Sequence, residues 1–306
     1  MHDLIIVGAG PAGLAASLYA ARKRLDFLTI CETVGGKSNY RVHLADGDET
    51  QVIQAGELVT VYRSRLESLR HSYRTASVTA IEAVDGGFRA SVKDGDAVEA
   101  RAVIIASGTQ NRRLKVEGES KFLSRGLGYS SISYSHLLSG KRVFLTGDSD
   151  RAVNSAIELS LHATKVTVAL LAGGTFTPAL IDRAAGLERI TLLHESTIVG
   201  FEGDGFARRV IVESGGARQT LEADGFFLEP EPSPNTAYLG DLVSLDGRGY
   251  IPVDGENATS RPGVFAAGDV TGHGFEQILV SLGEGTKALL SAYRYLLELG
   301  ALKPAT

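Results

Sequence analysis

Gly8-Ala9-Gly10-Pro11-Ala12-Gly13 decides how this chain is read, because of what flanks it. Before it, residues 3–7 are a short apolar run of strand length, and after it an apolar-periodic stretch reaches about Lys23. Residues 27–31 are a second apolar run. Strand, glycine turn, helix and strand in that order imply parallel strands and a doubly wound α/β sheet. Gly8 permits the tight turn, Gly10 lets the backbone approach a pyrophosphate, and Gly13 lets helix and strand pack closely. The helix start supplies oriented amides and partial positive charge. Glu32, just past the second strand, is placed to accept hydrogen bonds from a ribose hydroxyl. A glycine pattern alone is weak evidence; with all these parts in order it reads as a dinucleotide site.

Working outward, the pattern recurs. Residues 142–146 read as a strand, Gly147-Asp148-Ser149-Asp150-Arg151-Ala152 as a turn, and the following residues as a helix to about His162, with a return strand over 165–171. The chain therefore carries an internal repeat. Residues 77–83, 88–92, 97–100 and 102–106 read as strands belonging with the first copy, and 210–214 with 219–227 as a hairpin after the second. Pro230, Pro232 and Pro234 mark an irregular link. A short strand over 264–267, then Gly268-Asp269, leads to a long helix from about Gln277 to Leu299.

Composition agrees with two domains of ordinary size. The 306 residues are 43% hydrophobic and 22% charged, as in soluble globular proteins. A net charge of −5 without a compact basic tract argues against a nucleic-acid partner. The apolar opening, residues 4–21, lacks a basic flank and is interrupted by Gly8, Gly10, Pro11 and Gly13, so neither a signal peptide nor a membrane span is expected. A cytoplasmic protein without membrane association follows as the expectation. The single cysteine, Cys31, forms no intramolecular disulfide and by itself holds no structural zinc, and no metal site is expected.

Two further stretches, Val103-Ile104-Ile105-Ala106-Ser107-Gly108-Thr109 and Gly263-Val264-Phe265-Ala266-Ala267-Gly268-Asp269-Val270, are similar to signatures of flavoprotein reductases with two dinucleotide domains. Together with Gly35-Gly36, Ser233-Pro234-Asn235-Thr236 and the 277–285 segment, they make the chain resemble, over essentially its whole length, the low-molecular-weight thioredoxin reductases of the pyridine nucleotide-disulfide oxidoreductase superfamily. The resemblance implies two Rossmann-like FAD/NAD(P)-binding domains in three layers, the second inserted in the first. Residues 1–113 and 241–306 would form the FAD domain and 114–240 the NAD(P)-binding-like domain. It also implies a homodimer. The FAD contacts it implies are Gly8, Gly10, Pro11, Ala12, Gly13, Glu32, Gly35, Gly36, Lys37, Asn39, Val78, Ala106, Ser107, Gly108, Gly268, Asp269, Glu276, Gln277 and Ile278. Gln277 and Ile278 fall near the flavin ring, where a helix start would stabilise negative charge on the reduced flavin.

The departures from the family carry as much information. Ser130-Ser131-Ile132-Ser133 falls on the family's Cys-x-x-Cys pair, so Ser130 and Ser133 replace both cysteines. Alcohols form no disulfide and no thiolate at neutral pH, which excludes reduction of thioredoxin by the usual dithiol route. Cys31 reads as a small buried residue on the adenosine side of FAD, not a substitute. His136 is either a proton donor near the flavin face or the end of a loop before Leu137 and Leu138. At the second turn Ser149 stands where the close-approach glycine belongs, and Asp148 and Asp150 add negative charge at the expected pyrophosphate position. Ala172-Gly173-Gly174-Thr175-Phe176 stands where NADPH-using relatives carry arginines, and Glu229 and Glu231 add two more carboxylates. A degenerate NAD(P)H site is the expectation. Glu276 occupies a position commonly arginine in the family, and reads either as a group lowering the flavin potential or as a solvated surface glutamate.

Three functions compete at this level. The first is an FAD-dependent oxidoreductase taking electrons from a donor other than NADPH, such as a ferredoxin-like protein, a small reductant or a substrate reaching the flavin. The second is an NAD(P)H-dependent reductase of a ferredoxin-like or quinone acceptor. The third is a noncatalytic FAD-binding protein.

Overall fold

The computed structural model describes residues 1–45, 54–69, 71–272 and 274–302. The strands are β1 (His2–Ala9), β2 (Phe27–Val34), β3 (Tyr73–Thr75), β4 (Val78–Val84), β5 (Gly87–Val92), β6 (Val98–Ile105), β7 (Thr109–Gln110), β8 (Leu127–Tyr129), β9 (Arg142–Ser149), β10 (Lys165–Thr175), β11 (Ile190–Gly203), β12 (Ala207–Ser214), β13 (Ala217–Glu222), β14 (Gly225–Leu228), β15 (Ser233–Pro234) and β16 (Val264–Ala266). The α-helices are α1 (Pro11–Arg22), α2 (Gln54–Ser68), α3 (Glu119–Phe122), α4 (Asp150–Leu159), α5 (Pro178–Ala185) and α6 (Ile278–Glu298). The chain divides into one unit of Met1–Asn39, Gln54–Gln110 and Ser233–Thr306, and another of Tyr40–Ile53 and Asn111–Pro232.

In the first unit the strand order is β3-β2-β1-β6-β5-β4, with β16 also beside β6. β1 runs parallel to β2 and β6, while β4, β5 and β6 pair antiparallel. Leu4, Ile5, Ile6, Ile104 and Ile105 are fully buried, as expected of central strands covered on both faces. The sequence pattern separates residues 97–100 from 102–106, but they form the single strand β6. Its front end pairs with β5 and its rear end with β16, so one strand serves two neighbours on the same edge.

The other unit has the order β13-β12-β11-β10-β9-β14-β8, parallel from β11 through β8 and closed by the antiparallel β11–β12–β13 meander. Residues 219–227, expected as one strand, are two, because Asp224 leaves the ladder and its carboxylate accepts the Arg142 backbone N–H at 2.8 Å. β14 then returns to the parallel sheet beside β9.

The unit boundaries differ from the expected 113/114 and 240/241. β7 pairs antiparallel with β15, Thr109 opposite Pro234, so both connecting segments remain in the first unit as far as this ribbon. Residues 40–45 join the second unit: Val42 and Leu44 are buried among Leu138, Val143 and Phe227. Gly128 admits them, since a Cβ there would lie 2.0 Å from a Val42 methyl.

Candidate functional site

The three glycines of the first turn have separate roles. Gly8 has φ +100°, and a Cβ on it would lie 2.2 Å from the Ala106 carbonyl oxygen; one on Gly13 would lie 1.9 Å from the Gly8 oxygen. These two let β1, β6 and α1 meet backbone to backbone. Nothing lies within 4 Å of the Cβ position of Gly10, so the face it presents is open. Gly10 is the N-cap of α1 and Pro11 its first residue, with no side chain capping the helix start. Such a start leaves backbone donors directed outward, the usual arrangement for an anion.

Four other segments assemble around this turn. Gly35-Gly36 follows β2, with Gly35 N–H donating to the Ala9 carbonyl at 2.7 Å and the Cβ position of Gly36 only 3.1 Å from Gly10 Cα. Asn39 anchors this loop by donating to the Val34 carbonyl at 2.8 Å. Ala106-Ser107-Gly108 follows β6 and is held by Asn235: Ser107 Oγ donates to the Asn235 carbonyl and Asn235 Nδ2 to the Ser107 carbonyl, both at 2.8 Å. The Cβ position of Gly108 is also open. Gly268 follows β16, packs toward Ala12, and donates its N–H to Glu284 at 2.7 Å. Gln277 is the N-cap of α6, again without a side-chain cap, and Ile278 packs against the buried cluster of Ala9, Leu14 and Cys31. α6 approaches α1 through Gly285, where a Cβ would lie 2.0 Å from the Ala12 oxygen.

Glu32 is exposed and accepts a hydrogen bond from Ser77 Oγ at 2.7 Å, so a ribose would share that carboxylate with Ser77. Val78 is half-buried at the edge of the sheet core. Cys31 is buried, and burial pushes its thiol up to about 11, in keeping with an inert packing residue. Glu276 is not a solvated surface glutamate. Its carboxylate lies 2.6 Å from Lys37 Nζ, which also meets Asp269 at 2.6 Å and Thr109 Oγ1 at 2.7 Å. The sequence places Lys37, Asp269 and Glu276 singly at the site; it misses their mutual contact, and misses Thr109, Ser77, Asn235 and Glu284 as supporting groups. Asn235, Thr109 and Glu284 do fall inside matching stretches, within Ser233-Pro234-Asn235-Thr236, residues 103–109 and residues 277–285, but nothing there marks their contacts.

The second turn is built differently. A Cβ on Gly147 would lie 2.4 Å from the Glu229 carbonyl oxygen, so the strand contact survives. The rest of the turn is engaged internally. Asp148 pairs with Arg112 and accepts the Glu231 N–H at 2.9 Å; Ser149 Oγ donates to Glu231 at 2.9 Å. Asp150 accepts both the N–H and the hydroxyl of Thr177, at 2.7 and 2.6 Å. The end of β10 runs along the turn, Thr175 paired with Ser149. The expected negative charge is therefore largely committed to intramolecular partners, and occupancy by the chain itself, more than bare charge, is what a pyrophosphate would meet.

Ser130 and Ser133 lie on one tight turn, Ser133 N–H donating to the Ser130 carbonyl at 2.9 Å, with Ser130 in the left-handed region at φ 55°. Between them Ser131 donates its N–H and hydroxyl to Glu229 at 2.6 and 2.7 Å. Glu229, 1% exposed, also meets Arg151 Nε at 2.9 Å, and Arg151 reaches Ser130 Oγ at 3.4 Å. His136 is exposed near the end of a short 3-10 helix, Ser131–Leu137. Among the described residues no group of three His, Cys, Asp or Glu could hold a metal ion, and no helix is long and apolar enough to cross a membrane.

Comparison with known proteins places this geometry. Alkyl hydroperoxide reductase F of Staphylococcus aureus (strain MRSA252) is 29% identical over 97% of the chain. The chain spans 59% of the length of that relative. A crystal structure of thioredoxin reductase from Streptococcus pyogenes MGAS5005 superposes with a TM-score of 0.86 at 30% identity, covering 97% of this chain and 99% of that one. Thioredoxin reductase from Giardia duodenalis matches with the same TM-score at 27% identity and the same coverage. The family model of the pyridine nucleotide-disulphide oxidoreductases matches residues 2–285, and the chain belongs to that family.

Proposed function

We propose that the chain is an FAD-dependent oxidoreductase whose first unit holds FAD, and whose second unit neither reduces that flavin efficiently from NAD(P)H nor passes electrons to a disulfide. The first unit fits the group by its backbone cradle: the open faces of Gly10 and Gly108 and the two uncapped helix starts of α1 and α6. Gly10, Pro11 and Ala12 would receive the pyrophosphate, Glu32 with Ser77 the adenosine ribose, and Asp269 with Gln277 and Ile278 the flavin end. When bound, FAD supplies the electron-transfer chemistry. The chain's own groups bind it, orient it and set the charge around it.

The observation that carries the negative half is the second turn. Its Asp148, Ser149 and Asp150 are already joined to Arg112, Glu231 and Thr177, so binding a pyrophosphate there would break those bonds and bring further negative charge among carboxylates. The serines at 130 and 133 support the same reading, since no sulfur stands there to accept electrons. Electrons would then come from another donor, such as a ferredoxin-like protein, with a second copy of the chain as the expected partner. One observation favours NAD(P)H reduction instead: the strand–turn–helix backbone of β9 and α4 is intact, with α4 uncapped by a side chain. Anaerobic mixing separates them. The proposal expects no bleaching of the flavin by NADPH or NADH and bleaching by reduced ferredoxin; rapid bleaching by either nucleotide sinks it.

A further inference from the structure

Lys37 stands where four segments of the first unit converge. It extends from the short helical turn that begins at Gly36, whose Cβ position lies 3.1 Å from Gly10 Cα. Its ammonium meets Asp269 from the segment after β16, Glu276 from the approach to α6, and Thr109 from the segment after β6. Thr109 Oγ1 lies 3.0 Å from the same Glu276 oxygen, closing the set. The side chains of Lys37, Asp269 and Glu276 are 27%, 13% and 16% exposed, so water screens the cluster only partly. A surface lysine paired this way would contribute little. Held between two shielded carboxylates, this one has a fixed position, and among the described residues its contacts set one cation against two anions.

We infer that Lys37 is a positioning and charge-setting residue of the flavin site: it holds Asp269 and Glu276 together and governs how strongly the site favours the reduced over the oxidised flavin. The inference rests on the reading of the first unit as the FAD site. Its physical basis is Coulombic: reduction adds negative charge to the flavin, which a nearby cation stabilises and a nearby carboxylate opposes. Loss of Lys37 leaves two like charges facing one another without the cation between them. Loss of the charge on Glu276 leaves Asp269 as the described carboxylate paired with Lys37. The two changes therefore act in opposite directions, whereas a cluster that merely braced the fold would weaken the site the same way whichever member was removed.

The test uses the flavin-loaded protein and the substitutions Lys37→Met, Lys37→Arg and Glu276→Gln. For each, FAD stoichiometry, FAD affinity and the midpoint potential against a reference dye are measured. Lys37→Met is expected to lower the potential and Glu276→Gln to raise it, each by about a tenfold change in the relative affinity for reduced and oxidised flavin, about 30 mV for a two-electron couple. Lys37→Arg should stay close to the parent, and the double change Lys37→Met with Glu276→Gln should lie between the single variants. If Lys37→Met fails to fold, the rise in Glu276→Gln and the parent-like potential of Lys37→Arg carry the test. Potentials that move together, or do not move while FAD stays bound, overturn the role of Lys37 and leave the FAD reading standing. A parent protein that takes up no FAD at all overturns both.

Discussion

The turn at residues 8–13 and the turn at residues 147–152 have the same length, follow the same kind of strand and open the same kind of helix, yet they meet their surroundings in opposite ways. At the first, Gly8 and Gly13 absorb the backbone contacts and Gly10 leaves an open face with helix donors behind it. At the second, Gly147 keeps the strand contact, but Ser149 and its neighbouring aspartates are bonded to Glu231, Arg112 and Thr177. A shared backbone motif thus says where a phosphate could sit. Whether one can bind depends also on what the side chains around the turn are already bonded to.

The largest effects should come from the glycines. Gly13→Ala puts a methyl 1.9 Å from the Gly8 oxygen, and should cost about 3 kcal/mol of stability with loss of flavin, read by thermal unfolding and visible absorbance. The Cβ position of Gly10 has no atom within 4 Å, so Gly10→Asp should keep folding while FAD affinity falls roughly 100-fold through charge repulsion. Equal loss of stability in the two would break the division of roles. Next, Glu229→Ala removes a buried carboxylate bonded to Arg151 and to Ser131, and should destabilise the chain by about 2–3 kcal/mol, somewhat below a fully buried pair because Arg151 is 26% exposed. Its flavin content should be unchanged, since Glu229 belongs to the other unit.

Opening the second turn gives a smaller, more pointed effect. Asp148→Gly, Ser149→Gly and Asp150→Asn together remove the bonds to Glu231 and weaken the hold on Thr177, and should strengthen NADPH binding about tenfold, measured by calorimetry. No gain would mean that occupancy of the turn is not what excludes the nucleotide. Smallest is Cys31. Its thiol, ordinarily near 9, is pushed up to about 11 by burial, so the native protein should resist alkylation at about pH 8. Unfolding lets the thiol ionise nearer its ordinary value, so this contribution to stability is complete below about pH 9 and is lost as the pH rises toward 11.

Much of this comparison is legible in the chain itself. The order of apolar run, glycines and helix names the sheet type and both turns because backbone sterics and periodicity are local properties. That residues 130 and 133 are serines is likewise plain in the chain, and the family resemblance is what sets them on the cysteine pair. What is not legible is pairing across long separations. Lys37 and Glu276 are 239 residues apart, and no local pattern says that they share a bond. Asp148 and Asp150 look like bare charge in the sequence because Arg112 and Thr177, their partners, arrive from other elements. The break at Asp224 and the boundary set by the β7–β15 ribbon are hidden for the same reason: each depends on a partner that only the folded chain supplies.

On the proposed function, the first turn holds the flavin and the second does not feed it. This is tested most directly by following the visible flavin band anaerobically while the protein is titrated with NADPH, NADH and reduced ferredoxin in turn. The expected result is a bound flavin that neither nucleotide bleaches and that reduced ferredoxin bleaches. Stoichiometric bleaching by NADPH or NADH, or a protein that carries no flavin, would contradict it.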